Sequence, residues 1–312
     1  MSYRLKDFGS FHVGGRRVET SDLPKRFLSY TPAAAEMELD PNGVYWIEQA
    51  YVQFFVPEHH GDRLPIVFLH GGGLTGASWE TTPDSRPGWL NHFLEFGYPC
   101  YVVDQPERGR AGFSVLPDTL DGDAISRPLE EAWTRFRFGE LDGFATRTPY
   151  PGCDFPVEYL DAFGRQFVPR WTTTRAMHLA GFRDVVAHIG NCIVICHSQG
   201  GDAAHVVASE RNDLVQAVVA LEPSAFSPDL SDTQLSGQRY LYVFGDYIDR
   251  SPFWVDLQQK AIANAEALKA AGAEVTWLDL PTAGLAGTSH MIMMDKSSAQ
   301  SAQMVRRWLA GG

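Results

Sequence analysis

The chain has 312 residues, of which 44% are hydrophobic and 21% are charged, a composition typical of globular proteins that excludes a disordered or low-complexity chain. Its 26 Lys and Arg against 38 Asp and Glu give a formal net charge of −12, which argues against nucleic acid and anionic membrane surfaces as partners. No apolar run reaches the roughly 18 residues of a membrane span, and the first residues contain no apolar segment typical of a signal peptide. We therefore expect a cytoplasmic protein, or a secreted or periplasmic one whose signal peptide is absent from this sequence.

Short apolar runs bounded by turn residues alternate with helical patterns, which is typical of an α/β protein with a mostly parallel central sheet and helices on both faces. We predict strands at 66–70, 100–104, 192–196, 215–221, 240–244 and 274–280, and helices at 88–96, 175–188, 201–209, 253–271 and 298–309. Near the start, residues 44–47 and 51–56 are closely spaced and rich in β-forming side chains. They predict two strands that pair antiparallel with each other.

One stretch, residues 114–174, breaks this alternation. It contains six prolines and ten aromatic side chains but no clear βα unit. Because so long a structureless insertion is unusual in a compact domain unless it is functional, we predict an inserted aromatic-rich cap over the carboxyl edge of the sheet. Most of the aromatics should form the core of the cap, and a few should line an apolar pocket. Residues 1–312 then form a single domain that contains this cap.

The four cysteines do not form a disulfide framework. Cys192 and Cys196 lie on one predicted strand, about 13 Å apart at 3.3 Å per residue, so they cannot bridge each other. We expect Cys100, Cys153, Cys192 and Cys196 to be reduced and mostly buried.

The candidate nucleophile is Ser198. The run from Cys196 to Gly201 (CHSQGG) follows a predicted strand and begins a helical pattern. A serine on such a sharp strand-to-helix turn is presented above the sheet, and small residues two positions before and after it relieve crowding, hence the pattern G-x-S-x-G. Here Cys196 stands in place of the first glycine, and Gly200 is kept. The alternative is an ordinary tight turn in which Ser198 caps the helix.

Two further signals accompany this turn. The run HGGG at residues 70–73 follows the preceding central strand, where backbone N–H groups of Gly72, and of Gly71 as a further donor, could stabilise an oxyanion together with the N–H of Gln199. His70 and His197 flank these donors and are expected to support the site. After His205 the chain has one histidine, His290, in the loop before the last helix, where the general base of such a site belongs.

The acidic residue that would orient this histidine has two candidate positions. Asp246 and Asp249 follow the strand at 240–244, which is the usual place. Glu222 follows the strand at 215–221 directly, one strand closer to Ser198. The residues alone leave the choice open.

Several motifs together resemble a small group of bacterial α/β-hydrolase esterases typified by the alkaline esterase from Alcaligenes. They are HGGGLTG (70–76), CHSQGG (196–201), VVALEPS (218–224), VFGDYI (243–248) and GTSHMIMMD (287–295), and the resemblance covers the chain from about residue 44. It implies an α/β-hydrolase fold and a catalytic triad of Ser198, Glu222 and His290. Asp246 would then have a structural role.

These expectations describe a carboxylic ester hydrolase that needs no cofactor and no metal and whose partner is a small, hydrophobic ester. A lactonase or acyltransferase using the same triad is the alternative within the fold, and a non-catalytic ligand receptor is the alternative outside enzymes. The oligomeric state stays open, a homodimer included.

Overall fold

The structure, a computed structural model, describes residues 3–226, 230 and 234–311. Its strands are β1 (Leu5–Thr20), β2 (Arg26–Leu28), β3 (Met37–Leu39), β4 (Gly43–Pro57), β5 (Ile66–Leu69), β6 (Cys100–Asp104), β7 (Cys192–His197), β8 (Val215–Leu221), β9 (Arg239–Phe244) and β10 (Glu274–Asp279). Its α-helices are α1 (Trp89–Glu95), α2 (Leu129–Arg135), α3 (Leu160–Gly164), α4 (Arg175–Ile189), α5 (Gly200–Glu210), α6 (Pro252–Ala270) and α7 (Ser298–Leu309). Short 3₁₀ helices lie at Gly76–Trp79, Gly109–Ala111, Leu141–Gly143, Val157–Tyr159 and Ile248–Arg250.

Eight strands form one twisted sheet in the order β1-β4-β6-β5-β7-β8-β9-β10. The six strands from β6 to β10 in this order run parallel, while β4 pairs antiparallel with both β6 and β1. Together with its covering helices, this arrangement confirms the predicted mostly parallel sheet. The carboxyl ends of β5, β7, β8 and β9 therefore meet at one edge, where α/β proteins place their ligands.

The prediction of an antiparallel pair at residues 44–47 and 51–56 was wrong. Both stretches belong to the single strand β4, whose antiparallel partner is β1, a strand that the sequence analysis missed. Gly14, Gly15 and Glu48 have positive φ angles where these two long strands face each other. The break between the two predicted stretches therefore marks an irregularity inside one strand.

The core lies on both faces of the sheet, because successive residues of a strand point to opposite sides. On β5, Ile66 and Phe68 belong to the cluster packed under α1 and α7, whereas Val67 and Leu69 belong to the cluster packed under α4, α5 and α6. The four side chains are fully buried. This explains why the central strands are continuous apolar runs instead of alternating ones.

The inserted segment 114–174 packs onto the α1 and α7 side of the sheet. Trp133, Phe138, Phe155 and Phe163 are buried in the same hydrophobic cluster as the sheet residues, and the rings of Phe138 and Phe155 stack with centroids 3.9 Å apart. An isolated bridge between Ile125 and Arg170 joins the two ends of the segment. As expected, most of its aromatics are used for packing.

The cysteines are free thiols, with Cys100, Cys192 and Cys196 buried and Cys153 partly so. Among the residues described, no helix is both long and apolar enough to cross a membrane. Within the same residues, no three His, Cys, Asp or Glu side chains are grouped so that they could hold a metal ion.

Candidate active site

Ser198 lies on the sharp turn between β7 and α5. Its φ of 52° is in the left-handed region, which is uncommon for a residue other than glycine and typical of a strained functional turn. The turn leaves no room for side chains around it. A Cβ at Gly200 would lie 2.6 Å from the carbonyl oxygen of His70, and a Cβ at Gly71 would lie 3.1 Å from the Cβ of Ser198. Ser198 is half-buried and lines a cavity.

His290 and Glu222 meet below this turn. The Nδ1 atom of His290 lies 2.6 Å from Oε2 of Glu222, and both side chains are buried. Because the ionised carboxylate only accepts hydrogen bonds, Nδ1 carries the proton and Nε2 keeps its lone pair. This Nε2 is buried and has no hydrogen-bond partner among the described residues. The arrangement leaves a neutral imidazole nitrogen that can accept a proton.

Burial lowers the pKa of His290 to about 4, although the hydrogen bond and charge of Glu222 oppose the shift. Burial would raise the pKa of Glu222, but the charge of Arg137 and the bond with His290 outweigh it and lower this pKa to about 2. At neutral pH the pair is therefore a neutral imidazole beside an ionised carboxylate.

Arg137 is a site residue that the sequence analysis missed. It is fully buried, its Nη2 donates to Oε1 of Glu222, and its Nε donates to the carbonyl oxygen of Asp246 at 2.7 Å. The N–H of Gly245 also donates to Glu222 Oε1, at 2.8 Å. No motif marks Arg137, because it belongs to the irregular insertion and arginines are rarely fully buried unless they are paired.

The other candidate acids contact different groups. The carboxylate of Asp246 accepts the N–H of Gly287 at 2.7 Å and that of Tyr247 at 2.7 Å, so it fixes the backbone of the loop that leads to His290. Asp249 is exposed within a short 3₁₀ helix. The structure brings only Glu222, of the three residues considered, into contact with the His290 ring.

The glycine turn after β5 faces Ser198. The N–H of Gln105 donates to Nε2 of His70, so Nδ1 of His70 carries the proton and donates to the carbonyl oxygen of Gly71 at 2.8 Å. Since this peptide is trans, the N–H of Gly72 points away from His70. Neither this N–H nor that of Gln199 donates a hydrogen bond to a described residue. As far as the described residues go, both are available to a ligand.

His197 connects the serine turn to the histidine loop. Its Nε2 lies 3.0 Å from the carbonyl oxygen of His290, and the two rings are 4.4 Å apart at their centroids. Burial lowers the pKa of His197 well below its ordinary value, so Nε2 donates from a neutral ring. The ring of Trp254 packs on the other side of His290, at 4.2 Å between centroids.

A cavity of about 500 Å³ opens beside Ser198. Phe136, Trp171 and Trp254 form part of its lining, as expected of a pocket bounded in part by the insertion. It is more polar than the apolar pocket that we expected, because the four arginines Arg127, Arg135, Arg170 and Arg175 also line it. The aromatics of the insertion are largely used in the core, which leaves its polar residues to face the cavity.

No family model matches the chain. A solved structure described as that of a novel bacterial esterase superposes with a TM-score of 0.84 at 32% sequence identity, over 99% of this chain and 97% of that one. A protein of Fungal sp. (strain ATCC 74256), named "Probable secreted lipase phiG", is 25% identical over 96% of this chain and 93% of its own length. The identity, the coverage and the shared architecture show that the chain belongs to the α/β-hydrolase family of this bacterial esterase.

Proposed function

We propose that this protein is a serine carboxylic ester hydrolase that acts through an acyl-enzyme intermediate. The observation that carries the proposal is the bond between His290 and Glu222, which leaves a buried, unpartnered lone pair on Nε2. The ring of His290 packs on that of His197, the residue directly before the serine in its strained turn. The family to which the chain belongs supports the reaction class. The triad is then Ser198, His290 and Glu222.

In the proposed mechanism, His290 accepts the hydroxyl proton of Ser198 as its oxygen attacks the ester carbonyl. The N–H groups of Gly72 and Gln199, with Gly71 as a further donor, stabilise the oxyanion of the tetrahedral intermediate. His290 then gives its proton to the leaving alcohol, and an acyl-Ser198 ester remains. Water attacks this ester with His290 again as the base, which releases the acid and restores the serine.

Glu222 holds the imidazole in the tautomer that this cycle needs and stabilises the imidazolium that forms. His70 is a positioning residue in the proposal, because its bond to the Gly71 carbonyl turns the next N–H toward the site. Asp246 orders the loop of His290 through the N–H of Gly287.

Labelling with a fluorophosphonate, followed by intact-mass and peptide analysis, tests the nucleophile. We expect one adduct per chain at Ser198, none in Ser198→Ala, and an unchanged adduct in Ser224→Ala, whose serine lines the same cavity. Ser198→Ala should also lose about 10³-fold or more in kcat while it folds normally. Retention of a tenth of the activity would contradict the assignment.

Assays with lactones and with added alcohols separate ester hydrolysis from the alternative reactions of the same triad.

A further inference from the structure

Among the residues that the structure describes, six charged side chains line the cavity beside Ser198, and four of them neutralise each other in pairs. Arg175 binds Asp202 through two hydrogen bonds of 2.7 and 2.9 Å. Arg127 binds Glu131 at 2.5 Å. The remaining two, Arg135 and Arg170, form no ion pair with any residue that the structure describes. The described part of the cavity lining therefore holds an excess of positive charge, although the chain as a whole carries −12.

Arg170 lies directly beside the proposed oxyanion donors. Its Nη1 donates to the side-chain oxygen of Gln199 at 2.9 Å, and its guanidinium packs so closely on Gly72 that a Cβ at this glycine would overlap it. The scissile carbonyl of a substrate would bind to the N–H groups of these same two residues. The guanidinium of Arg170 is thus held directly beside the proposed reacting centre.

Among the described residues, Glu131 and Glu107 attract Arg170, but neither forms an ion pair with it. Burial lowers the pKa of Arg170. Burial also lowers the pKa of Arg127, and the charges of Arg170 and Arg135 lower it further. The charged forms are therefore less favourable here than in water. Arg135 packs on the ring of Phe253, with Cζ 4.1 Å from the centroid, and Arg170 has a neutral amide as partner. A neutral ester would add nothing to the partial compensation that Glu131 and Glu107 give Arg170, whereas a carboxylate matches the forked donors of its guanidinium.

We propose that the substrate is an ester that also carries an ionised carboxylate. Arg170 binds this carboxylate, and the charge of Arg135 helps to attract it. This inference rests on the proposed function and specifies its substrate class. The carboxylate could belong to the acyl part or to the alcohol part of the ester, and the experiment distinguishes the two.

The experiment compares kcat/KM for matched esters by pH-stat titration at neutral pH. Monomethyl glutarate against dimethyl glutarate tests a carboxylate on the acyl part, and acetoxyacetate against 2-methoxyethyl acetate tests one on the alcohol part. We expect the wild-type protein to prefer the charged member of one pair by at least tenfold. Arg170→Gln should lower kcat/KM for that charged ester by about 10- to 100-fold and change the neutral one by less than threefold.

Two further variants keep the result interpretable. Arg170→Lys retains the charge but loses the forked donors, and should retain only part of the preference, more than Arg170→Gln does. Arg183→Gln removes the same charge from a surface pair with Glu210 on the α4 and α5 side of the sheet, and should leave both rates unchanged.

Three outcomes would overturn the proposal or its basis. No preference in either pair contradicts a carboxylate subsite. An equal loss for charged and neutral esters in Arg170→Gln would mean that Arg170 only positions Gln199. Failure to hydrolyse any of the four esters, together with no labelling of Ser198, would contradict the proposed function itself.

Discussion

At the scale of single residues, the site depends on the buried charge of Arg137, which no sequence pattern marks. Glu222 is fully buried, and a carboxylate in such a place would normally be neutral. Arg137, the N–H of Gly245 and His290 all donate to it, which keeps it ionised. The same positive charge on Arg137 disfavours protonation of His290, so the arginine stabilises the carboxylate and keeps the base neutral.

The first prediction compares the two acids. Glu222→Gln should lower kcat by about 10⁴-fold, because the amide no longer holds the required tautomer of His290. Asp246→Asn should lower it by less than tenfold, since its side-chain oxygen can still accept the N–H of Gly287. Steady-state kinetics on both folded variants gives the comparison. A severe loss in Asp246→Asn with a mild one in Glu222→Gln would transfer the role to Asp246.

Stability complicates this comparison, because Glu222→Gln leaves Arg137 buried without its carboxylate. Breaking such a pair from one side costs about 3–5 kcal/mol. The double variant Glu222→Gln/Arg137→Gln removes both charges and should regain part of the melting temperature without regaining activity. Recovery of activity in the double variant would show that the loss arises from misfolding and not from the base.

The second prediction concerns pH. His290 acts as a base only when it is neutral, and its pKa is about 4 in place of the ordinary 6.5. The value of kcat/KM should therefore stay level from high pH down to about pH 5 and fall tenfold per unit below about pH 4. A histidine of ordinary pKa would already have lost about nine tenths of its activity at pH 5.5. A half-maximal point near pH 6.5, on a substrate that does not itself titrate there, would contradict the burial of a neutral base.

At the scale of elements, the sequence predicts the central strands and the turns after them much better than the edge and the insertion. The runs at 100–104 and 215–221 match β6 and β8 in full, because strands buried on both faces are short and continuously apolar. The strand β1 carries many polar side chains on an exposed face, so its pattern is weak. The buried role of Arg137 depends on how an aperiodic segment folds back onto β8 and β9, which local patterns do not encode.

The third prediction tests the strand-to-helix turn on both sides of Ser198. Gly200→Ala places a Cβ 2.6 Å from the carbonyl oxygen of His70, so the turn or the neighbouring glycines must move. A displacement of about 1 Å at a reacting group can lower kcat about 10²-fold. Cys196→Ala, a change to a smaller side chain at the other small position, should keep activity within threefold. Equal activity of the two variants, measured as kcat on one ester, would contradict a sterically fixed turn.

At the scale of the whole molecule, the insertion is part of the site and of the core at once. The carbonyl oxygen of Phe136 accepts the N–H of His290 at 3.1 Å, and the N–H of Asp154 donates to the carbonyl oxygen of Gly287 at 2.8 Å. The indole of Trp254 donates to the carbonyl oxygen of Arg135 at 2.6 Å. These contacts bind the insertion to the histidine loop and to α6. We infer that residues 114–174 unfold together with the rest of the chain, as one domain, and do not open as an independent lid.

The fourth prediction follows from this continuity. Phe138 is fully buried and stacks on Phe155, so Phe138→Ala should lower the free energy of unfolding by about 3–5 kcal/mol. Because the insertion shares its core with the sheet, far-UV circular dichroism and tryptophan fluorescence should report the same single transition, shifted to lower denaturant concentration. Tyr159→Ala, at a residue of the same insertion that is 45% exposed, should shift this transition little. If Phe138→Ala instead produced an early transition that removed activity while the remaining structure melted as in the wild-type protein, the insertion would be a separate folding unit.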